Sequence, residues 1–472
     1  MPFIKNKYSL LIGCMLVLAS CGIHKQYHRP DLQLPDQFHG AHNTNDTASV
    51  ANIGWRSFFA DPQLQSLIEK GLQYNYDLLI ALKHIDAANQ QLKQAKQLLL
   101  PDADFLANYQ LTRPSDNSLN GITAQSFLHS TYIENYNAQI SISWEADIWG
   151  KLGLQKQTAV AQYMQTYEAG QAVQTRLISD IAQGYYNLEM YDKQLAVAES
   201  NLALADSIVL MTRLQRDAGN VTTLALEQAE AQRQVAAALV PAISRSISLQ
   251  ENALNILTGA MPGENIGRAQ LDDQYIKDDL AAGIPVQMVN RRPDVRAAEL
   301  GLVAANKKVG IAKAEMYPAL NITAAGGINS FKASNWFSIP ASLFGLAAGS
   351  LAQPLLQHRT LKTRYKVAQI QRDESVLEFR QSVLKAVGEV SDALISIDRT
   401  KEQKDLLTSR VKTLHTAVSD AQMLFNSGLA TYLEVITAQS NALQAELDLA
   451  SIQKQQMYAA IDLYRATGGG RN

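Results

Sequence analysis

Between Pro114 and Pro241 the chain contains no proline, and after Pro354 it contains none to its end. Within these stretches apolar residues recur at alternating steps of three and four. In the first, Ile178, Ile181, Tyr185, Leu188, Leu195, Leu202 and Val209 follow the pattern, interrupted by Asp192. In the second, Val383, Val387, Val390, Leu394 and Ile397 do the same, and Leu429, Leu433, Ile436, Leu443 and Leu447 resume it. Sustained spacing of 3.5 residues means long helices packed side by side as coiled coils. A helix over about 358–427 extends about 105 Å at 1.5 Å per residue, a length with no use in a compact soluble domain. Gly219 and Gly428 stand where each long helix must end in a left-handed turn and double back. Thr431 is a candidate cap for the returning helix, with Glu434 three residues on to complete a capping box.

The chain also reads as one unit written twice. Ala95-Lys96-Gln97-Leu98-Leu99-Leu100-Pro101 is echoed by Ala312-Lys313-Ala314-Glu315-Met316-Tyr317-Pro318, a shift of 312 − 95 = 217. Gly219-Asn220-Val221-Thr222 is echoed by Gly428-Leu429-Ala430-Thr431, a shift of 428 − 219 = 209. Such a period is far longer than that of solenoid repeats. Each copy reads as helix, strand, loop, strand, very long helix, tight turn, long helix.

The strands have their own character. Ala138, Ile140, Ile142 and Trp144 alternate with Asn137, Gln139, Ser141, Ser143 and Glu145. Phe105, Ala107, Tyr109 and Leu111 alternate with Asp104, Asn108 and Gln110, although Leu106 breaks the polar side. The second copy has Leu320, Ile322 and Ala324 against Asn321 and Thr323, and a last strand rich in Gly and Ala near 343–353. Alternation with aromatic ends at Tyr136, Trp144 and Tyr109 fits a barrel strand between lipid and water. A half-buried strand in a soluble sheet shares the pattern. Four strands cannot close a barrel, and an open edge leaves amides unsatisfied in lipid, so a membrane sheet demands several chains. Two, three or four chains give 8, 12 or 16 strands, of which the larger two leave an aqueous channel. The polar segments 114–134 and 329–341 are the expected loops on the far side.

The N-terminus reads as an address. Lys5 and Lys7 precede an apolar stretch from Leu10 to Ala19, followed by Ser20 and Cys21. This is the layout of a secretory signal over residues 1–20. Its end resembles the lipobox of bacterial lipoproteins, which implies a lipid on Cys21 once the signal is removed. Cys14 leaves with the signal, so the mature chain keeps one cysteine and forms no disulfide within itself. Gly22 follows, and in the lipoproteins resembled the absence of Asp at that place favours the outer membrane.

Composition excludes several classes. With 42 Lys+Arg against 44 Asp+Glu, there is no basic excess of the kind that binds nucleic acid. A mean hydropathy of −0.13, and no run of about 18 apolar residues beyond the signal, argue against a bundle of membrane helices. None of the eight histidines belongs to a zinc-protease motif, since His24 and His28 stand four apart but Lys25 takes the place of the glutamate, and no phosphate loop or nucleophile–base signature is present. His24, His28, His39 and His42 lie in a polar lead-in. No enzyme and no cofactor is expected, apart from the covalent lipid. Gly468-Gly469-Gly470 reads as part of a terminal tail.

The ordered set of motifs resembles a known family. The lipobox, Tyr27, Pro30 and Trp55-Arg56-Ser57-Phe58-Phe59-Ala60-Asp61-Pro62-Gln63-Leu64 are similar to the start of the TolC-type outer-membrane factors, in their lipoprotein branch. Trp144-Glu145-Ala146-Asp147-Ile148-Trp149-Gly150-Lys151, Arg292-Pro293-Asp294-Val295-Arg296, and Gly428 through Ala438-Gln439 extend the resemblance over nearly the whole mature chain. It implies a mixed α/β membrane protein: a homotrimer whose twelve-stranded transmembrane β-barrel, four strands per protomer, continues into an α-helical periplasmic tunnel. It also implies partners: a periplasmic adaptor protein, an inner-membrane pump of the RND type, and outer-membrane lipid. On this reading 21–60 is a lipidated linker, 61–258 the first repeat and 259–285 an equatorial connector. The second repeat is 286–467 and the tail 468–472. Strands fall near 103–113, 136–146, 319–328 and 343–353. The short helices near 61–100 and 286–317 belong to an equatorial region.

The expected function is a passive exit duct whose idle entrance lies at the hairpin tips. Gly219, Asn220, Gly428 and Thr431 mark those tips and the adaptor's docking place. In the family, acidic residues after the second tip form rings inside the entrance; Glu434 matches the first such position and Thr437 replaces the second. A basic residue that locks the closed state in some members is Ala430 here, leaving Arg216 or Asp217 as substitutes. Glu434 has two readings, a charged gate and a helix cap. Two other functions share part of the pattern: a channel for type I protein secretion, and a lipid-anchored structural coiled coil.

Overall fold

The computed structural model describes residues 26–40, 49–268 and 282–471, so the signal, Cys14, Cys21, His24, His42 and residues 269–281 of the connector lie outside the described residues. After a single helical turn at Trp55–Phe58, the first repeat runs α1 (Pro62–Tyr74), α2 (Tyr76–Gln97), β1 (Asp102–Thr112), β2 (Ile133–Ala146), α3 (Lys151–Asp217) and α4 (Thr223–Leu257). The second runs α5 (Pro285–Arg291), α6 (Pro293–Ala314), β3 (Ala319–Ser330), β4 (Leu343–Ala352), α7 (Thr360–Asn426) and α8 (Tyr432–Ala466). Corresponding helices have equal lengths: 22 residues for α2 and α6, 67 for α3 and α7, 35 for α4 and α8. The shift between copies drops from 217 at α2/α6 to 209 at α3/α7. That difference of 217 − 209 = 8 sits in the strand-connecting loops, 113–132 and 331–342.

The chain divides into two units, and α2, α3, α6 and α7 each contribute to both. One comprises 26–30, 87–164 and 300–377; the other comprises 31–86, 165–299 and 378–471.

In the first unit the four strands form one antiparallel sheet in the order β1-β2-β3-β4. The register aligns an apolar face across all four: Phe105 opposite Ile140, Ala107 opposite Ala138, Ile142 opposite Ala324, Ala324 opposite Ala347, Ile328 opposite Leu343. On the other face Asp104 meets Ser141, Asn108 meets Asn137 and Ser143 meets Thr323; Leu346 and Phe344 interrupt it in β4. Every residue of β1 is exposed, because the chain covers neither face of that strand. At one end Tyr109, Tyr136, Trp336 and Phe337 form a run of rings with centroids 4.8, 5.6 and 5.0 Å apart. Trp144 stands toward the other end, where its indole donates to the Leu99 carbonyl at 3.1 Å. β1 and β4 are unpaired edges.

The Glu145–Lys151 segment turns the chain from sheet to helix. Asp147 accepts the amides of Leu152 and Gly153 at 2.9 and 2.8 Å, capping α3. Lys151 pairs with Glu145 at 2.6 Å, and the Trp149 indole donates to Pro318 O of the second repeat at 2.7 Å.

The core of the second unit contains Leu64, Ile68, Ile178, Ile181, Tyr185, Leu188, Leu254, Phe379, Ile461, Leu463 and Tyr464, all fully buried. The aromatic N-terminal motif docks onto the last helix: Phe58 stacks on Tyr464 at 4.2 Å, and Tyr464 Oη donates to Ile53 O at 2.9 Å. Arg292 donates Nε and Nη2 to Asp294 at 2.9 and 2.7 Å, pairs with Glu389 at 2.7 Å, and gives Nη1 to Ala466 O at 3.2 Å. Burial alone raises the Asp294 pKa, but the Arg292 guanidinium outweighs it and holds that carboxyl below its ordinary range.

Three expectations need correction. The buried seam of α8 is Val435, Gln439, Ala442, Ala445 and Ala450, whereas Leu429 and Leu433 are 77 % and 59 % exposed. Likewise α7 buries Phe379, Val383, Ala386, Val390, Ala393 and Thr400. Small side chains suit a close helix–helix seam, and Leu429 and Leu433 are left at the surface of the chain. Second, Gly468-Gly469-Gly470 is no loose tail: residues 466–470 are buried. Gly468 (φ 94°) ends α8 in the left-handed region, and a Cβ on Gly469 would run into the Tyr464 ring. Arg471 then pairs with buried Glu168 at 2.9 Å. Third, α3 holds an 18-residue window of mean hydropathy 1.4, long and apolar enough by composition to cross a membrane. Its apolar residues include Ile208 and Val209, which pack in the helix–helix seam described below.

Replacing Arg292 by alanine strips a buried ion pair of one partner, so Arg292→Ala is expected to destabilise the protomer by about 3 kcal/mol. Chemical denaturation of the detergent-solubilised protein measures this.

Candidate functional site: the paired hairpin tips

Both hairpins turn by the same hydrogen bonds. At the first tip Gly219 N donates to Arg216 O and Asn220 N to Gln215 O, each at 2.8 Å. At the second, Gly428 N donates to Phe425 O at 3.0 Å and Leu429 N to Leu424 O at 2.8 Å. This is the Schellman pattern, with a left-handed glycine after the helix. Gly219 has φ 79° and Gly428 φ 73°, and a Cβ at either would meet nothing within 4 Å. The glycines are thus required by backbone conformation alone. Each returning helix is then capped by a threonine. Thr222 Oγ1 accepts the Ala225 amide at 3.3 Å. Thr431 forms a capping box with Glu434, whose carboxylate accepts the Thr431 amide at 2.8 Å and its hydroxyl.

The box fixes the charge state of Glu434. Its hydrogen bond from the Thr431 hydroxyl, followed by backbone amide bonds, lowers the exposed carboxyl below the usual glutamate pKa. It is therefore an anion at neutral pH. Thr437 is exposed and gives its hydroxyl to Leu433 O at 2.7 Å. Arg216 and Asp217, the alternatives for a lock, pair with each other.

Sequence reasoning missed how the two tips are joined. Ile208, Val209, Leu226 and Ala229 of the first hairpin pack with Phe425 and Val435 of the second, flanked by Met211, Ala421, Tyr432 and Ile436. The Tyr432 hydroxyl donates to Gln228 across the same seam. Each hairpin also has polar clasps along its length: Arg213–Glu230 at 3.0 Å and Arg233–Asp206 in the first, His415–Glu446 and Arg410–Asp448 in the second. Residues 17–38 positions apart in sequence give no local signal of such clasps. Leu210, Leu214, Leu224, Met423, Leu424, Leu429 and Leu433 stay exposed around the tips. Among the described residues no group of three or more His, Cys, Asp or Glu side chains is placed to hold a metal ion.

The family model for outer membrane efflux proteins matches residues 67–260 and 284–469, one segment for each repeat. The chain belongs to the outer membrane efflux protein family. It is an outer-membrane efflux channel, a conduit and not an enzyme. Among curated relatives, it is similar to the cation efflux system protein CusC of Escherichia coli O6:H1, 27% identical over 464 residues covering 98% of both chains. The probable outer membrane lipoprotein SilC of Salmonella typhimurium is 27% identical over 470 residues, again 98% of both. The solved outer-membrane channel OprN superposes with a TM-score of 0.88 at 23% identity, over 96% of this chain and 100% of that one. The expected fold, four strands continued by long helical hairpins, is the fold of those channels.

Substituting Gly428 forces a side chain into the left-handed region, so Gly428→Ala is expected to destabilise the second hairpin by about 1 kcal/mol. Amide exchange of residues 423–431 should rise accordingly, with exchange near residue 300 unchanged.

Proposed function

We propose that three copies of this chain close a twelve-stranded barrel and form the exit duct of a tripartite efflux pump. A periplasmic adaptor and an inner-membrane RND-type transporter would deliver substrate to the helical tips. The observation that carries this reading is the sheet itself, apolar on one face, polar on most of the other, with edges β1 and β4 unpaired. In lipid those edge amides need partners, and only neighbouring copies offer them in register. Twelve strands leave a water-filled bore, whereas eight fill with side chains. Polar residues such as Asp104, Asn108, Asn137 and Ser141 would face that bore.

The lipid belongs to the same reading. Cys21 would carry an N-terminal lipid after signal removal, in keeping with the name of SilC as a probable lipoprotein. The exposed leucines around Gly219 and Gly428 supply the apolar surface for neighbouring protomers and for the adaptor. Glu434 would sit at the entrance as one of three symmetry-related carboxylates, a ring that favours cations. Energy comes from the partner pump, and the duct passes what that pump delivers.

Light scattering of the detergent-extracted mature protein is expected to give the mass of three chains. A monomer that stays soluble once its lipid anchor is cut would overturn the barrel and leave a tethered coiled coil. The gate has a separate test, because glutamine also serves in a capping box. Glu434→Gln removes the charge while keeping the cap, so cation preference in a planar bilayer should fall several-fold without loss of assembly. An unchanged preference would reduce Glu434 to its capping role.

A further inference from the structure

Charge is distributed unevenly along this chain. All four sheet–helix junctions lie at one end of the sheet, where Asp102 pairs with Ser143, Ala146 with Leu320 and Ala319 with Ala352. In the first unit the stretches running from those junctions, 87–101, 147–164, 300–318 and 353–377, hold twelve Lys or Arg against four Asp or Glu. The remainder of the chain holds 42 − 12 = 30 against 44 − 4 = 40. A chain of near-zero net charge thus has a basic zone directly beside its sheet and is acidic elsewhere.

The zone is densest at the start of α7, where Arg359, Lys362, Arg364 and Lys366 are all exposed. Arg364 reaches Glu315 at 3.7 Å. Among the described residues no carboxylate pairs with Arg359, Lys362 or Lys366. Cations at a helix N-terminus oppose the helix dipole, and α7 has no acidic residue in its first turn to offset them. By contrast α3, which also starts with a lysine, has Asp147 as its cap. The protein alone leaves the charge at the start of α7 uncompensated.

Leucines separate these cations from the strands. Leu355 and Leu356, between β4 and α7, are 85 % and 96 % exposed, and Leu98, Leu99 and Leu100 stand exposed between α2 and β1. Trp149 and Tyr317 lie at the other two junctions, with ring centroids 4.9 Å apart. From sheet to helix the order is apolar strand face, leucine or aromatic ring, then cation. A lipid leaflet has the matching order of acyl chain, interface and headgroup phosphate. Lys366 is six residues past Thr360, about 9 Å along the axis at 1.5 Å per residue. That distance is comparable to the Debye length at physiological ionic strength, about 8 Å, so all four cations act on the headgroups.

We propose that these helix ends form a basic collar that binds anionic phospholipid headgroups in the periplasmic leaflet of the outer membrane, with Arg359, Lys362 and Lys366 as its principal contacts. The inference rests on the sheet standing in the membrane, as read above. The bound phosphates supply the counter-charge that α7 lacks, and three copies carry the cluster three times around the barrel's rim.

The test uses the mature protein reconstituted in phosphatidylcholine vesicles, with spin-labelled phosphatidylglycerol or phosphatidylcholine as the probe. Electron paramagnetic resonance reads the fraction of each probe held at the protein. At low salt phosphatidylglycerol should be held several-fold more than phosphatidylcholine. The preference should shrink toward one in about 1 M salt, where the Debye length is about 3 Å. In Arg359→Gln/Lys362→Gln/Lys366→Gln the preference should drop at least twofold. Lys385→Gln/Lys401→Gln/Lys412→Gln removes the same charge from exposed sites further along α7 and should leave it intact. No preference in the wild type, an unchanged preference in the first variant, or an equal loss in both would overturn the collar. Ion selectivity in a planar bilayer that shifts in the first variant without loss of lipid preference would place those cations in the bore instead. Protein that does not enter vesicles at all refutes the barrel, and the collar with it, whereas inserted protein with no preference refutes the collar alone.

Discussion

Backbone amides at a sheet edge cannot go unpaired in hydrocarbon. This chain carries four strands with edges at β1 and β4, and one face apolar over most of its extent. Most of the architecture is arranged around that incompleteness. β2 and β3 are neighbours in the sheet although the whole first helical hairpin lies between them in sequence. The sheet is thus assembled from one β-hairpin of each repeat, and the long helix of the first repeat leaves from it through a capped turn. Asp147 at the start of α3 and the Trp149–Pro318 bond set that departure.

Duplication sets the lengths. Two hairpins that join in one cluster around Ile208, Phe425 and Val435 must have arms of equal length, and they do, at 67 and 35 residues. The copies differ where length carries no such constraint, in the loops connecting the strands. The tips repeat each other down to the same pair of amide bonds and the same glycine conformation. Only the second has a glutamate three residues after its threonine cap, so the copies are equal in geometry and unequal in charge.

Inside the helical unit, polar groups do the positioning that leucine packing leaves undetermined. Arg292 joins Asp294, Glu389 and the end of α8. Arg296 and Arg471 converge on buried Glu168. A slipped register would leave these charges buried and unpaired, a far larger penalty than shifting one leucine contact.

Much of this was legible in residue order. Proline-free heptads gave long helices, the glycines at 219 and 428 gave the turns, Thr431 with Glu434 gave a capping box, and alternation gave the strands. Each of these rests on local stereochemistry, in which a residue's effect is exerted within a turn of its own position. The sequence was misleading where partners are distant. Leu429 and Leu433 read as a buried seam, yet Val435 and the alanines of α8 take that place. The terminal glycines read as a tail, yet Gly469 lies against the Tyr464 ring where no Cβ fits. The Tyr432–Gln228 and Tyr185–Asp61 bonds join residues more than a hundred positions apart. The sequence by itself determined the elements, their lengths and the need for more than one copy. Which faces close on each other, and which acids are shut away from water, was decided only by tertiary packing, because desolvation depends on neighbours brought from elsewhere in the chain.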